Sequence, residues 1–267
     1  MAANTSISED LECPVCFQVP RECPIPVCPM GHVVCRSCRV FVTTCPTCRR
    51  QMTKDGTNVL ATKLIEKINH PCKFWQFGCN VKKGLKDIGE HESRCPERTV
   101  KCPHLWCEEE VQMRKFNYHA KVNCVSNPDN RSRSLSRKFK VSPRDIIIDL
   151  TWPMYVIQDH GIIFYLHHYY LSKEKVVVVY VTTNELPDEA NKYMADVTLK
   201  GFKDPRKSLA FKIDVISVFK APLNNSQIMS SPSVAFIPWF TIDAWSEWRD
   251  NWKEWFIHFH VIKERSP

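Results

Sequence analysis

Residues 13–48, CPVCFQVPRECPIPVCPMGHVVCRSCRVFVTTCPTC, decide how the amino-terminal part of this chain folds. Cysteines recur there in C-x2-C turns, a spacing that lets both sulfurs of one turn reach a single metal ion. Two tetrahedral zinc ions need eight ligands, and this stretch supplies eight in four pairs. The pairs are Cys13 with Cys16, Cys28 with His32, Cys35 with Cys38, and Cys45 with Cys48. Cys23 is left over, and we interpret it as a free or packed thiol near the surface.

A weaker pattern occurs twice in residues 72–124 and indicates two further zinc sites. The first set is Cys72, Cys79, His91 and Cys95, and the second is Cys102, Cys107, His119 and Cys124. Both sets keep eleven residues between their second and third members, so they form an internal repeat. Units of about 30 residues bury little apolar surface, so zinc is expected to supply their folding free energy. His70 and His104 flank ligand cysteines and are alternative ligands. The sequence therefore predicts four Zn²⁺ ions per chain.

The distribution of cysteine and charge divides the chain in two. All 14 cysteines lie between Cys13 and Cys124. Residues 1–140 carry a net charge of +9, whereas residues 141–267 carry −1. MAANTSISED at the amino terminus lacks a basic segment followed by an apolar core, so we expect no secretory signal and a reducing compartment. We therefore expect a cytoplasmic location, with the nucleus as a second one. No apolar run is long enough to span a bilayer, and no glycine-rich phosphate loop occurs.

The carboxy-terminal half has the pattern of an all-β domain. Seven β-branched or aromatic runs are separated by turn residues, which indicates an antiparallel sandwich. The runs are IIIDL, GIIFYLHHYY, KVVVVYVTT, MADVTL, LAFKIDVISVF, VAFIPWF and WFIHFHVI. Four tryptophans at positions 245, 248, 252 and 255 recur every three or four residues, so we predict a short helix over 243–254 before the last strand. We interpret these tryptophans as core residues.

The segment 125–140, VSNPDNRSRSLSRKFK, has the composition of a linker. Its basic residues are Arg131, Arg133, Arg137, Lys138 and Lys140, which are also compatible with nucleic-acid binding or nuclear import. The interleaved serines favour a flexible tether that can be phosphorylated. The zinc fingers lack the spacing of a DNA-reading finger, so a nucleic-acid partner is not expected.

The first eight ligands resemble one known zinc-binding family, and the complete pattern resembles a family of ubiquitin ligases that contain it. The C3HC4 order of residues 13–48 resembles the RING finger. A RING followed by paired C-x6-C-x11-H-x3-C fingers and a β-sandwich resembles the seven-in-absentia (SINA/SIAH) ubiquitin ligases, whose RING signature is similar to ECPVCF, CPMGHVVCRSCR and CPTCRR. The second finger departs from that family, with x4 in place of x6 and with Cys124 where a histidine is common. The resemblance is specific over residues 12–124, and beyond them rests on position and strand pattern.

The resemblance implies a pairing of ligands, a mechanism and partners. Cross-bracing assigns Cys13, Cys16, Cys35 and Cys38 to one zinc ion, and Cys28, His32, Cys45 and Cys48 to the other. A RING binds an E2 ubiquitin-conjugating enzyme charged with ubiquitin and takes no covalent ubiquitin itself. The E2-contacting pattern falls on Val15, Val42 and Pro46, and Arg49 takes the position of an arginine that bridges E2 and ubiquitin. The sandwich is expected to be TRAF-like, to recruit protein substrates or adaptors for degradation, and to form a homodimer.

These inferences predict a multidomain chain with a zinc-stabilised half and an all-β half. The predicted segments are a polar tail (1–12), the RING (13–50), a connecting helix (51–69), two SIAH-type fingers (70–124), a basic linker (125–143) and a TRAF-like sandwich (144–267). The predicted function is that of a RING-type E3 ubiquitin transferase. A non-catalytic TRAF-like adaptor and a zinc-dependent nucleic-acid binder are the alternatives. Membrane insertion is not expected.

Overall fold

The computed structural model describes most of the chain. The described residues are 10–126, 134–142, 147–159, 161–201, 204, 206–249 and 252–263. Most of the predicted tail, 1–12, lies outside them, as do Arg131 and Arg133. The chain divides into two compact units, residues 1–98 and 99–267. Among the described residues, no helix is both long and apolar enough to cross a membrane.

The first unit contains small elements arranged around cysteine-rich loops. They are α1 (Arg36–Arg39), α2 (Val59–Lys67), β1 (Asn69–Pro71), a 3₁₀ turn (Trp75–Phe77), β2 (Lys82–Gly84) and α3 (Leu85–Arg94). Helix α2 begins after Asn58, whose side chain accepts a hydrogen bond of 2.9 Å from the backbone N–H of Ala61. One face of the helix buries Ala61 and Ile65 against Leu11 and Ile25. The connecting helix predicted within 51–69 therefore occupies the second half of that segment.

The second unit begins with a finger-like segment and continues into the β-rich domain. Its elements are β3 (Thr99–Lys101), β4 (Glu110–Gln112), α4 (Met113–His119), a π-helical turn (Ala120–Cys124), β5 (Ser134–Val141), β6 (Leu150–Thr151), β7 (Tyr155–Asp159), β8 (Ile162–Leu171), β9 (Val176–Thr183), α5 (Pro187–Ala190), β10 (Tyr193–Lys200), β11 (Ser208–Asp214), β12 (Ile216–Ser217), α6 (Asn225–Ser230), β13 (Ala235–Pro238), α7 (Trp239–Trp245), β14 (Glu247–Arg249) and β15 (Trp252–Lys263).

Two mostly antiparallel sheets form the β-rich domain. One sheet has the order β11-β10-β15-β14, with β5 also paired to β15. The other has the order β12-β9-β8-β6, with β13 on β9 and β7 on β8, and its only parallel pair among the described strands is β12 with β9. Alternate residues of the long strands face a shared core, for example Phe164 on β8, Val179 on β9, Val197 on β10 and Ile257 on β15. The predicted fold class, zinc clusters followed by an antiparallel sandwich, is confirmed.

The structure corrects the helix predicted over residues 243–254. The helix α7 ends at Trp245, Trp248 lies in β14, and Trp252 and Trp255 lie in β15. Trp255 is 1% exposed, and alternate residues after it are buried as well, which is the period of a strand. Packing in the sandwich core therefore overrides the three-to-four spacing of the tryptophans.

The predicted linker also contains regular structure. Residues 134–141 form β5, which pairs antiparallel with β15, from Ser134 opposite His260 to Val141 opposite Lys253. Val141 is 1% exposed and belongs to the sandwich core. Leu135, Phe139 and Val141 follow the period of two that a strand requires, a pattern that serine and basic residues obscured. The interpretation of this segment as a flexible tether fails for 134–141.

The finger that begins the second unit packs on the outer face of the β6–β9 sheet. The Phe116 ring meets the Tyr165 ring edge-on, with centroids 5.5 Å apart. The Tyr165 hydroxyl donates to Asn117 Oδ1 at 2.6 Å, and the Tyr180 hydroxyl donates to the Pro103 carbonyl at 3.0 Å. These contacts join the finger and the sandwich into one packed unit. The boundary drawn at residue 124 remains a prediction.

Candidate functional site

The first cysteine-rich stretch folds into two clusters of four ligands. One contains Cys13, Cys16, Cys35 and Cys38, and the other contains Cys28, His32, Cys45 and Cys48. A tetrahedral ion with zinc–sulfur bonds of about 2.3 Å sets its sulfurs about 3.8 Å apart. The Sγ atoms of Cys16 and Cys35 lie 3.8 Å apart, and those of Cys28 and Cys48 lie 3.7 Å apart. The clusters alternate along the chain, which is the cross-braced arrangement that the resemblance implied.

Two more clusters have the same dimensions. They contain Cys72, Cys79, His91 and Cys95, and Cys102, Cys107, His119 and Cys124. The Cys72–Cys95 Sγ separation is 3.8 Å, and the Cys102–Cys124 separation is 3.9 Å. Each histidine presents Nε2 to a sulfur, 3.3 Å from Cys79 Sγ in one cluster and 3.4 Å from Cys107 Sγ in the other. Four sets of soft sulfur and imidazole donors at tetrahedral spacing fit four zinc ions, so the predicted cofactor is confirmed.

Backbone hydrogen bonds prepare some of these thiols for metal binding. Burial raises the pKa of the Cys13 thiol, but backbone N–H groups of Cys35, Cys16 and Val15 outweigh it and lower that pKa to about 7. The N–H of Cys35 lies 3.4 Å from Cys13 Sγ. The pKa of Cys45 is likewise lowered to about 7, because N–H groups of its own turn outweigh the effect of burial. Both thiols are therefore close to the thiolate form that zinc requires.

Two side chains beyond the predicted ligands approach the outer nitrogen of the His119 imidazole. When Nε2 binds zinc, Nδ1 carries the proton, and only the Glu109 carboxylate can accept it, because the Asn123 amide nitrogen is itself a donor. With Nε2 facing the sulfurs, Nδ1 lies 3.1 Å from Glu109 Oε2 and 3.1 Å from Asn123 Nδ2. A carboxylate on the outer nitrogen fixes the ring orientation of a histidine ligand. The sequence pointed to neither residue. Asn123 lies one turn after His119, which is a usable signal, whereas the position of Glu109 depends on the fold.

The remaining candidate ligands lie outside the four clusters. His70 is buried, with Nε2 2.8 Å from the Ile65 carbonyl. His104 Nε2 lies 3.4 Å from the Trp152 carbonyl, and burial lowers the pKa of its imidazole. Cys23 is partly buried, and burial followed by the charge of Glu66 raises the pKa of its thiol. The two histidines thus serve as hydrogen-bonding groups of the fold.

The four residues assigned to E2 contact lie on the surface of the RING. Val15 is 38% exposed, Val42 is half-buried, and Pro46 and Arg49 are exposed. Arg49 has a φ of 59° and donates its N–H to the Cys45 carbonyl at 2.8 Å, so the last zinc turn sets the direction of its backbone. Phe41 is 85% exposed beside Val42 and adds apolar surface that the sequence reasoning did not single out.

Part of the chain is similar in sequence to known ubiquitin ligases. The chain is 38% identical over 92 residues to the E3 ubiquitin-protein ligase SIAH2 of Homo sapiens, covering 34% of this chain and 28% of that protein. The chain is SINA/SIAH-like. It is also 39% identical over 104 residues to the E3 ubiquitin-protein ligase sina of Drosophila melanogaster, covering 38% of this chain and 32% of that protein. A third relative, the probable E3 ubiquitin-protein ligase sinah of the same organism, is 39% identical over 94 residues, 35% of this chain and 26% of that protein.

The similarity confirms the predicted resemblance and limits what it carries. The chain spans less than a third of the length of each of these relatives. No family model matches the chain. The sequence identity and the four zinc clusters agree on a SINA/SIAH-like chain, and ligase activity is a property of the relatives.

Proposed function

We propose that this chain is a RING-type E3 ubiquitin transferase. The observation that carries the proposal is the pair of interleaved four-ligand clusters in residues 13–48, which presents Val15 and Pro46 at the surface. Similarity to relatives named as E3 ubiquitin-protein ligases supports the same activity. The partners are then an E2 enzyme, ubiquitin and a protein substrate.

The proposed chemistry needs no nucleophile from this chain. Each cluster offers four protein ligands, so a bound zinc ion is structural and has no open position. The amine of a substrate lysine attacks the carbonyl carbon of the E2–ubiquitin thioester, an amide bond forms, and the E2 cysteine leaves as its thiol. The ligase accelerates this step by restricting the charged E2 to its reactive orientation, which removes an entropic part of the barrier.

The surface residues divide the work between binding and orientation. Val15, Val42 and Pro46 form the apolar contact for the E2, with burial of one such side chain contributing at most about 1.5 to 3 kcal/mol. Arg49 bridges E2 and ubiquitin, because its planar guanidinium can donate to two acceptors at once. Its task is to hold ubiquitin against the E2.

Transfer of ubiquitin by the full chain across a panel of E2 enzymes tests this proposal. We expect at least one E2 to give ubiquitin conjugates of the ligase or of free lysine. Cys35→Ser should abolish the transfer, because loss of one ligand opens a zinc site and unfolds the RING. Val15→Ala should weaken E2 binding while all four zinc ions remain. A wild-type chain that retains four zinc ions and is inactive with every E2 would favour the non-catalytic adaptor.

We propose that the sandwich recruits the substrate. Strand β11 pairs only with β10 among the described strands, so its other edge offers backbone groups to which an extended peptide can add. Crosslinks from bound peptides should then map to the sandwich, and crosslinks confined to the zinc fingers would contradict this. Substrate modification is expected to lead to degradation.

We also propose a homodimer formed through the sandwich and a cytoplasmic location, with the nucleus as a second one. Light scattering on the full chain tests the first, and imaging of the tagged chain tests the second. A monomer at micromolar concentration would contradict the dimer.

A further inference from the structure

A groove of about 340 Å³ lies in the first unit between helix α2 and the zinc turns of the RING. Its lining residues come from the segment before the first cysteine, from two zinc turns, from the loop around His32 and from α2. The lining residues that face the proposed partner are Asp10, Glu12, Pro14, Thr47, Leu60 and Leu64. None of the zinc ligands except His32 lines it. The groove is therefore a surface feature beside the metal centres.

The groove borders the surface assigned to E2 contact. Pro14 precedes Val15 in the first zinc turn, and Thr47 follows Pro46 in the last zinc turn. Each of these two turns thus contributes one residue to the apolar E2 patch and its neighbour to the groove wall. A protein seated on Val15 and Pro46 would extend over the groove without leaving the surface of the first unit.

The groove wall exposes apolar side-chain surface that the described residues of the first unit leave open to solvent. Leu60 is 68% exposed on the first turn of α2, and Leu64, one turn later, is half-buried on the same face. Residues four apart on a helix share a face, so the two leucines form one apolar stripe along the groove. Burial of such a stripe by a partner is favourable in proportion to the apolar area removed from water.

The charge of the groove is opposite to that of the unit around it. Residues 1–98 hold 14 lysines and arginines against 10 acidic residues, a net charge of +4. The lining includes Asp10 and Glu12 but no lysine or arginine, and both acidic residues are exposed. A partner segment with basic and apolar side chains complements this surface, whereas an acidic one would be repelled.

We propose that this groove is a second part of the E2-docking surface, and that it takes a segment of the E2 carrying basic and apolar side chains. The inference rests on the proposed function, because it places the same E2 partner across two adjoining surfaces. Val15 and Pro46 provide the apolar contact at the zinc turns. Leu60 anchors the neighbouring segment, and Asp10 and Glu12 select for its positive charge.

The apolar half of the proposal is tested with Leu60→Lys in the full chain, against the most active E2 of the panel. Its matched control is Val59→Lys, since Val59 is 63% exposed on the same turn of α2 and does not line the groove. Both substitutions put one lysine at the helix amino terminus, so their effect on the helix is similar. We expect Leu60→Lys to weaken E2 binding by about tenfold or more, as loss of a buried leucine contact plus charge repulsion implies, and Val59→Lys to change it less than twofold.

The charge half is tested with Glu12→Lys against Glu22→Lys, which makes the same change in net charge. Glu22 is exposed in the same unit and lies outside the groove lining. We expect Glu12→Lys to weaken E2 binding about fivefold at low salt and Glu22→Lys to change it less than twofold. The difference between the two should shrink as salt is raised, because ions screen exposed charges.

The outcomes separate this inference from the proposed function. If the wild-type chain binds the E2, Val15→Ala weakens binding, and each groove variant behaves like its control, the groove is not part of the docking surface and the inference is wrong. If the wild-type chain fails to transfer ubiquitin with every E2 of the panel, the proposed function itself is wrong, whatever the groove variants do. All variants should retain four zinc ions, which excludes unfolding as the cause of weaker binding.

Discussion

Replacement of Phe116 by alanine should destabilise the β-sandwich as well as the zinc finger that contains it. Phe116 is fully buried in a cluster that joins both parts, including Val100 and Ala120 from the finger and Met154, Val156 and Val218 from the β-domain. Removal of a buried phenylalanine costs about 3 to 5 kcal/mol through lost transfer energy and the cavity left behind. That cost is a large share of the roughly 5 to 15 kcal/mol that stabilises a domain.

Hydrogen exchange measured by mass spectrometry on the full chain locates the effect. We expect amides of β8 and β9 to exchange about 100-fold faster or more, since each 1.4 kcal/mol corresponds to a factor of ten. Tyr118→Ala is the matched control, because Tyr118 lies on the same helix, is 73% exposed and should cost within about 0.5 kcal/mol. Metal analysis should find four zinc ions in both variants.

The reasoning would be refuted by an unchanged sandwich. If Phe116→Ala speeds exchange in residues 99–124 alone, while β8 and β9 keep wild-type protection, the finger and the sandwich are energetically independent. Unfolding midpoints recorded by zinc release and by tryptophan fluorescence should also shift together in the variant.

Three further predictions follow from the metal sites and the buried histidines. Metal analysis of the purified chain should find four zinc ions, and two or fewer would contradict the two finger sites. Glu109→Gln should raise the zinc dissociation constant of the cluster that contains His119 about 10- to 100-fold in chelator competition, because Glu109 Oε2 lies 3.1 Å from His119 Nδ1. The RING sites should be unchanged. Burial lowers the pKa of His167 well below its usual value, so the folded chain keeps this imidazole neutral. In the unfolded chain the imidazole binds a proton below about pH 6.5, and the free energy of unfolding therefore decreases as the pH falls below that value. His167→Gln should therefore reduce the slope of stability against pH in that range by up to about 1.4 kcal/mol per unit, and an identical slope would contradict this.

The sequence specified the metal clusters well because ligand spacing is a local property. A C-x2-C turn brings two sulfurs together whatever surrounds it, and the complete ligand count indicated which residues belong to zinc. The long strands were also predicted, since Phe164 on β8 and Val179 on β9 lie within β-branched and aromatic runs. The helical interpretation of Trp252 and Trp255 failed because burial of Trp255 in the sandwich core, a tertiary effect, decided the local conformation.

The packing of the second finger against the sandwich could not be predicted from the sequence pattern. It depends on Tyr165 and Tyr180, two tyrosines of the outer sheet face whose hydroxyl groups reach Asn117 and the Pro103 carbonyl. Such contacts join residues 48 and 77 positions apart, a separation that periodicity and composition do not report. The sequence alone predicts that removal of zinc leaves the sandwich largely intact, because that half has no cysteine and must be held by apolar burial. The structure leads us to expect that loss of zinc from the cluster containing His119 destabilises the sandwich.

Discharge of ubiquitin from a loaded E2 to free lysine, measured in a single turnover, tests the ligase proposal most directly. Arg49→Ala should slow this discharge substantially while E2 affinity changes little, because the guanidinium is assigned to orientation and not to docking. Arg50→Ala is the matched control, since Arg50 is the next residue and is also exposed, and it should keep the wild-type rate. Arg49→Lys should restore the rate only in part, because an ammonium lacks the planar fork. If Arg49→Ala and Val15→Ala both discharge ubiquitin at the wild-type rate, these two residues have no part in the transfer. If the wild-type chain, with four zinc ions bound, discharges the E2 no faster than the E2 does alone, the ligase account is contradicted.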